Sequence, residues 1–583
     1  MKRNIVIIIT ATLLLTLTGC SNYLTEDNKS NTAADIYYST PAGYNALVNS
    51  CYSSLRDVFG GTAVSSSKAG SLNGVVELFC GGTDLYQLYL PSTAPSSDNK
   101  GLETYQNLSP VDGVLKTFYT SVYSAIKRCN DAIHYGANQD PVRVAEMRFL
   151  RAFYYFQLVQ QFGDVALVTD FLTSPITSYE RTPAKDVYAF IISEMEDALP
   201  TLPATSDPGR ANQRVVNHFL ALVYLTRGYD ANLGGTASDF TKAEQYATAA
   251  INGQPLNLDF EKDVFWPGKD INAETLFAVQ YSSASLPSTS AGNAWSSYFG
   301  GYLGGANSSI GDGIPAITSV FRPTKRLYQL LVADPKDTRF AKTFMQTVYG
   351  TNLVLLSYFS YYTTSPKITT VALYYPRPGT DSLQVKAWIA ADPANRANAY
   401  IAYADGGLGH YNNGNFNGNY IGADGTGWFS LTNSMPVFPH IKKFDCPGTI
   451  FSTTSSFRNI PLARLAETYL IRAEAEINSG NTTAAATDIN VVRTRSNASP
   501  ITASQATIDY VLDERAREFA GEYQRWYDLK RTGKLTTYVP MYNPDVPNVS
   551  YMQGTGAQYK ILRPIPQSAI DLNGAAVTQN PGY

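Results

Sequence analysis

Short serine, lysine and carboxylate combinations are the first residues of this 583-residue chain whose types could do chemistry. Ser65-Ser66-Ser67-Lys68 fits S-x-x-K and Ser97-Asp98-Asn99 fits S-D-N, two of three signatures of a serine that attacks a lactam carbonyl. The third, K-T-G, does not occur, and both matches lie in serine-rich loops, whereas the S-x-x-K serine must open a buried helix. Gly533-Lys534 lacks the rest of a phosphate-binding loop. The four histidines (His134, His218, His410, His440) are far apart, and no H-x-x-x-H or H-E-x-x-H spacing joins them. His218, on an apolar helical pattern, reads as a packing residue. Glycoside hydrolysis needs two carboxylates roughly 5–10 Å apart. The most regular acidic series here sets Glu514 with Arg517, Glu522 with Arg525 and Arg525 with Asp528 at i,i+3, a pattern of structural ion pairs. The expectation is a protein with no catalytic residue, no metal and no cofactor. A structural Ca²⁺ in the Asp-bearing loop 403–424 is the one ion left open.

Binding chemistry is better provided for. A sugar ring offers C–H faces and directional hydroxyls, so its site needs exposed aromatics beside amides and carboxylates. Aromatic residues make up 12% of the chain, with 41 Tyr against 5 Trp, and tyrosine combines a flat apolar face with a polar tip. FCGGTDLYQLY (79–89) sets Asp84 and Gln87 among Tyr86 and Tyr89. NAWSSYFGGY (293–302) brings Trp295, Tyr298 and Tyr302, and GTGWFS brings Trp428 with little beside it to pack on. The competing reading is that these rings are satellite core beneath long loops. The expectation is that at least one of Trp295, Tyr298 and Trp428 contacts ligand, with Asp84 as its polar partner. Trp266, beside Pro267, is assigned to packing. Net charge is −3 and the isoelectric point about 5.9, which leaves no basic footprint for nucleic acid.

These loops need a scaffold to position them. Helical periodicity occurs at 41–58, 112–135, 141–162, 182–199, 211–230, 239–252, 459–479, 482–496 and 505–531. In 211–252 and 461–496, small residues stand at close-approach points and Tyr or Leu fills the gaps, as in tetratricopeptide hairpins, which must stack to bury their apolar faces. The predicted architecture is mainly α: a tetratricopeptide-like scaffold from 20–252 and 459–583, interrupted by a loop-rich irregular insert at 253–458, all one domain. Segments 300–309 and 409–429 are expected to be loop. At the N-terminus, Lys2-Arg3 precede an apolar stretch of roughly 13 residues, too short to span a bilayer. Leu17-Thr18-Gly19-Cys20 then resembles the lipobox of bacterial lipoproteins, with 1–19 removed and Cys20 carrying lipid. Two or three acyl chains anchor a protein far better than one. The other cysteines (Cys51, Cys80, Cys129, Cys446) are irregularly spaced and read as buried free thiols.

Five segments in order resemble the SusD/RagB family of outer-membrane nutrient-binding lipoproteins. They are AEMRFLRAFYYFQLVQQFGDVAL (145–167), RTPAKDVYAFIISEMEDALPTLP (181–203), PLARLAETYLIRAEAEINSG with INVVRTRS (461–496), LDERAREFAGEYQRWYDLKRTGKL (512–535) and the terminus YKILRPIPQSAIDLNGAAVTQNPGY. The resemblance implies a SusD-like fold and a lipid-anchored protein on the outer membrane, facing the cell exterior. It also implies capture of a glycan, or of a peptide as in some relatives, and delivery to a SusC-like TonB-dependent transporter. An interaction scaffold without a small ligand is the remaining alternative.

Overall fold

The computed structural model describes residues 34–60, 74–89, 95, 98–137, 140–174, 178–207, 209–282, 292–299, 320–351, 356–363, 368–402, 408–412, 415–417, 438–447, 456–573 and 577–583. The leader with Cys20, the Ser65–Lys68 motif, Tyr302, Trp428 and most of 403–424 lie outside them.

Helices start where side chains can satisfy the unpaired first-turn N–H groups. Thr40 caps α1 (Pro41–Phe59), and Val75–Cys80 forms the short α2. Asp112 accepts from Val114 and Leu115 to open α3 (Gly113–Gly136). Asp140 accepts from Arg143 N at 3.0 Å, and Pro141 opens α4 (Pro141–Phe162). Gly163, with φ +69°, ends α4 in the left-handed region. From Ala145 to Phe162 nearly every side chain of α4 is buried, as an all-round apolar helix requires. It packs between α3 and α5 (Ala184–Ala198), and α5 leads to the hairpin of α6 (Gln213–Gly228) and α7 (Ala237–Ile251). Thr182, at the start of the 182–199 pattern, is not helical but pairs with Val165 in a β-bridge, and Asp164 Oδ1 accepts the Ala184 N–H at 2.8 Å.

The helical series resumes with α11 (Leu465–Asn478), which packs on α6 and α7, and α12 (Thr482–Arg495), its hairpin partner. The early and late helices therefore share one wall, although some 200 residues separate them in sequence. Between them lie α8 (Lys325–Val332), α9 (Arg339–Thr343) and α10 (Ser382–Ala390). Two antiparallel ladders bind this insert to the scaffold. β1 (Tyr86–Leu88) pairs with β3 (Phe321–Pro323), and β2 (Thr275–Val279) pairs with β10 (Ile460–Arg464). Residues 459–464, expected at the start of a helix, are thus strand, paired with β2, and Pro461, with no N–H to donate, is tolerated in this edge strand.

The insert is more ordered than its composition suggests. Its strands β4 (Thr347–Gly350), β5 (Leu356–Ser357), β6 (Val371–Tyr374), β7 (Tyr400–Ala402), β8 (Leu408–Asn412) and β9 (Asn415–Asn417) form one sheet in the order β5-β4-β6-β7-β8-β9. Within 409–429, expected to be loop, residues 409–412 and 415–417 are strand, with Asn412 paired to Asn415. The long 505–531 helix is also two helices, α13 (Ile508–Glu518) and α14 (Arg525–Arg531), followed by α15 (Leu535–Tyr542). The break contains Gly521 at φ +85°, where an added Cβ would stand 2.8 Å from the Phe444 ring.

Cys51, Cys80 and Cys129 are buried thiols and Cys446 is a half-buried one, none of them in a disulfide. Among the described residues, no helix is long and apolar enough to cross a membrane.

Candidate functional site

Four of the expected ligand-binding side chains belong to the interior. Asp84 is fully buried, with its two oxygens 2.7 and 2.6 Å from Nε and Nη2 of Arg525. Tyr86, 1% exposed, accepts the Gly521 N–H at its hydroxyl. Trp295, also 1% exposed, stacks on Phe444 at 3.8 Å and donates its indole N–H to the Gly521 carbonyl at 2.8 Å. Tyr298 is buried against Phe321. Asp84 is drawn inward by Arg525 and Tyr298 packs on Phe321, while Tyr86 and Trp295 share one cause. The left-handed Gly521 turns both its N–H and its carbonyl toward the aromatic loops, which fold beneath the α13–α14 break instead of standing outside it. Tyr89 is half-buried with its ring 5.7 Å from Phe438.

The carboxylates of 512–535 are engaged too, but across elements. Only Glu514–Arg517, at 2.8 Å, keeps the expected i,i+3 pairing. Glu522 meets Arg464 at 2.9 Å and Lys443 at 3.0 Å, Arg525 takes Asp84, and Asp528 takes Arg515 at 2.7 Å and Arg531 at 2.6 Å. Glu518 lies among Arg464, Arg495 and Arg339. Burial by itself would raise the Glu518 carboxyl, but Arg495, Arg464, Arg339 and Lys443 hold it well below the ordinary glutamate range. His218 is likewise structural: its Nδ1 lies 2.8 Å from Thr468 Oγ1 and its Nε2 3.4 Å from Glu467. Among the described residues, no three His, Cys, Asp or Glu side chains converge as metal ligands do.

A different set of rings stands half-exposed on the insert. Trp266 follows a tight turn at Phe260–Phe265 whose first N–H groups, from Glu261 and Lys262, are accepted by Asp259 Oδ1 at 2.9 and 2.8 Å. Tyr361 and Tyr362 end the turn Tyr358–Tyr362 that follows β5. The Trp266 ring meets Tyr362 edge-on at 5.0 Å and Tyr361 at 6.1 Å. Buried groups fix each phenol. Tyr361 donates to Glu261 Oε1 at 2.5 Å and accepts from Lys442 Nζ at 2.8 Å, and Lys442 is 2.9 Å from the same carboxylate. Burial lowers the Lys442 ammonium below the usual lysine range, and Glu261 opposes that shift. Tyr362 and Tyr358 both donate to Asp445 Oδ2, at 2.6 and 2.8 Å, while His440 Nε2 lies 2.9 Å from Oδ1. The solvent-exposed Lys262 rests its Nζ 3.3 Å from the Trp266 ring centre.

Held apolar faces, phenols and carboxylates side by side are the chemistry a sugar needs. Sequence reasoning assigned Trp266 to packing and passed over 358–362, although Tyr-Phe-Ser-Tyr-Tyr, four rings in five residues, was a usable signal.

Two family models match the chain: the SusD family over residues 329–583, and "Starch-binding associating with outer membrane" over residues 83–225. SusD-like protein P2 of Formosa agariphila is 27% identical over 98% of each chain. The starch-binding protein SusD of Bacteroides thetaiotaomicron is 25% identical over 75% of this chain and 72% of its own. A laminarin-binding SusD-like protein of known structure superposes with a TM-score of 0.62 at 20% identity, covering 93% of this chain and 99% of its own. The paired helical hairpins, the two partial family matches and a relative that spans nearly the whole chain together make this protein SusD-like.

Proposed function

We propose that this protein is a surface glycan-binding lipoprotein that captures an oligo- or polysaccharide on its insert and passes it uncleaved to a SusC-like TonB-dependent transporter. The observation that carries the reading is the Trp266–Tyr361–Tyr362 cluster, whose rings are held by Glu261, Lys442 and Asp445 on a SusD-type scaffold. The names of two relatives, one laminarin-binding and one starch-binding, favour a glycan over the peptide alternative. Lys262, on an exposed stem, can leave the Trp266 face when a sugar stacks there, and Tyr89, Tyr302 and Trp428 stand as further candidate contacts on the sequence. A lipid on Cys20 restricts the protein to two dimensions beside the transporter and raises its effective concentration there.

Titration calorimetry against a panel of neutral and acidic polysaccharides tests the reading. One member should bind, and Trp266→Ala with Tyr361→Ala should weaken that binding at least tenfold. Stacking of a base on an aromatic ring contributes about 1–3 kcal/mol, a sugar falls at the low end, and about 1.4 kcal/mol is a factor of ten. An unaltered affinity in the double variant would move the site elsewhere. For the anchor, Cys20→Ala should leave the precursor unprocessed or free the protein from membranes, as fractionation would report. A mature, membrane-bound variant would refute lipid attachment.

A further inference from the structure

The Trp266 ring face is already occupied. The Lys262 ammonium lies 3.3 Å from the Trp266 ring centre and 5.4 Å from that of Tyr361, in the corner between the two rings. So short a distance to a ring centre puts the charge on the indole face, where the ring quadrupole attracts it. The backbone beneath is fixed: Asp259 Oδ1 accepts the N–H groups of Glu261 and Lys262 at 2.9 and 2.8 Å. The side chain is held only loosely. It is 54% exposed, and its one ion-pair partner among the described residues is Glu261, at 3.9 Å. That carboxylate is bound more closely by Tyr361 at 2.5 Å and by Lys442 at 2.9 Å. The other carboxylates of the turn are engaged as well, Asp259 with Lys342 at 2.7 Å and Asp263 with the Asp259 N–H at 3.0 Å.

We propose that Lys262 is an autoinhibitory latch of the glycan platform: its ammonium fills the corner between Trp266 and Tyr361 in the free protein and must withdraw before a sugar stacks there. The inference rests on the glycan reading of this cluster and adds a competitor to it. A pyranose stacks by laying its C–H face on the ring, and one ring face cannot hold a sugar and an ammonium together. Withdrawal leaves the turn intact, because Asp259 holds the backbone and not the side chain. Exposed side chains change rotamer in picoseconds to nanoseconds, so the latch adds no slow step. It lowers affinity by the strength of its own contact, whatever the sugar, and so favours release to a transporter as well as capture.

Removing the competitor should therefore tighten binding. An exposed cation–π contact corresponds to about a two- to fivefold factor in affinity, or about 0.5–1 kcal/mol. Lys262→Ala should bind glycan tighter by that factor. Lys262→Arg, whose planar guanidinium also stacks on aromatic faces, should bind more weakly than Lys262→Ala. In a Trp266→Ala background, Lys262→Ala should lose most of its effect, because the face it uncovers is gone.

The test titrates the mature full-length protein and these variants calorimetrically with laminarin and soluble starch, two neutral glucans. The decisive readout is the double-mutant cycle between Lys262 and Trp266, since it isolates the contact between them. A Lys262 that only ordered the turn would give the opposite sign, with Lys262→Ala binding less tightly and melting earlier. A Lys262→Ala protein that binds no tighter than wild type, while Trp266→Ala weakens binding, would overturn the latch and leave the glycan site standing. Unaltered affinity in Trp266→Ala, or no binding of either glucan by wild type and Lys262→Ala, would overturn the latch together with the site it covers.

Discussion

Arg464→Met should lower the unfolding free energy by about 3–5 kcal/mol, the usual cost of removing one partner from a buried ion pair. Arg464 is 1% exposed and bridges Glu522, at 2.9 Å to each oxygen, and Glu518 at 3.2 Å. Methionine fills most of the volume but supplies no donor, so two buried carboxylates lose a guanidinium at once. Lys443 and Arg495 remain beside them and limit the damage. Urea unfolding near neutral pH measures the loss, and a change under about 1 kcal/mol would mean that solvent or the remaining cations compensate. The pH dependence has a definite sign. The folded-state value of Glu518 is depressed, so its contribution is fully present above the ordinary glutamate value of about 4.3 and is lost as pH falls through the folded value. The gap between wild type and variant should therefore narrow on acidification below about pH 4.

Trp295→Ala should cost a further large amount, about 3–5 kcal/mol for an aromatic side chain deleted from a core, and should do so without any ligand present. The indole is stacked on Phe444, tilted 5.0 Å from Tyr523, and hydrogen-bonded to the Gly521 carbonyl. Its removal leaves a cavity and a buried carbonyl without its donor. Trp295→Phe keeps a ring and forfeits the N–H, so it should lose less. Chemical denaturation of both variants separates the two causes. A stable Trp295→Ala protein that fails to bind glycan would restore Trp295 to the ligand site and remove it from the core.

The buried ion network also explains why the C-terminal helices read as they do. The alternation of Glu and Arg in 512–531 correctly signalled structural pairing, because a regular charge pattern on a helix is legible from spacing alone. The partners were not legible. Pairing at i,i+3 assumes one continuous helix, and the turn at Gly521 rotates Glu522 and Arg525 away from each other toward Arg464, Lys443 and Asp84. Glycine tolerates a helix interior at a modest cost, so its presence in the run did not announce a break.

Sequence alone determined most of the helical scaffold, because periodicity, capping residues and terminators act over a few residues and are written locally. The periodicity of 141–162 and the hairpins within 211–252 and 461–496 needed no distant partner to be recognised. The order of the five family-like segments is likewise read from the sequence alone. Tertiary structure decided which aromatic rings face solvent. Trp295 and Trp266 carry the same indole in similar loop contexts, yet Gly521 and Phe444 close over the first, while the second rests beside Tyr361 and Tyr362 at the edge of the insert. Exposure is a property of what packs against a residue, and those neighbours lie from about 90 to more than 200 positions away along the chain. The insert's sheet was hidden for another reason: its strands are two to five residues long, too short for an alternating pattern to stand out.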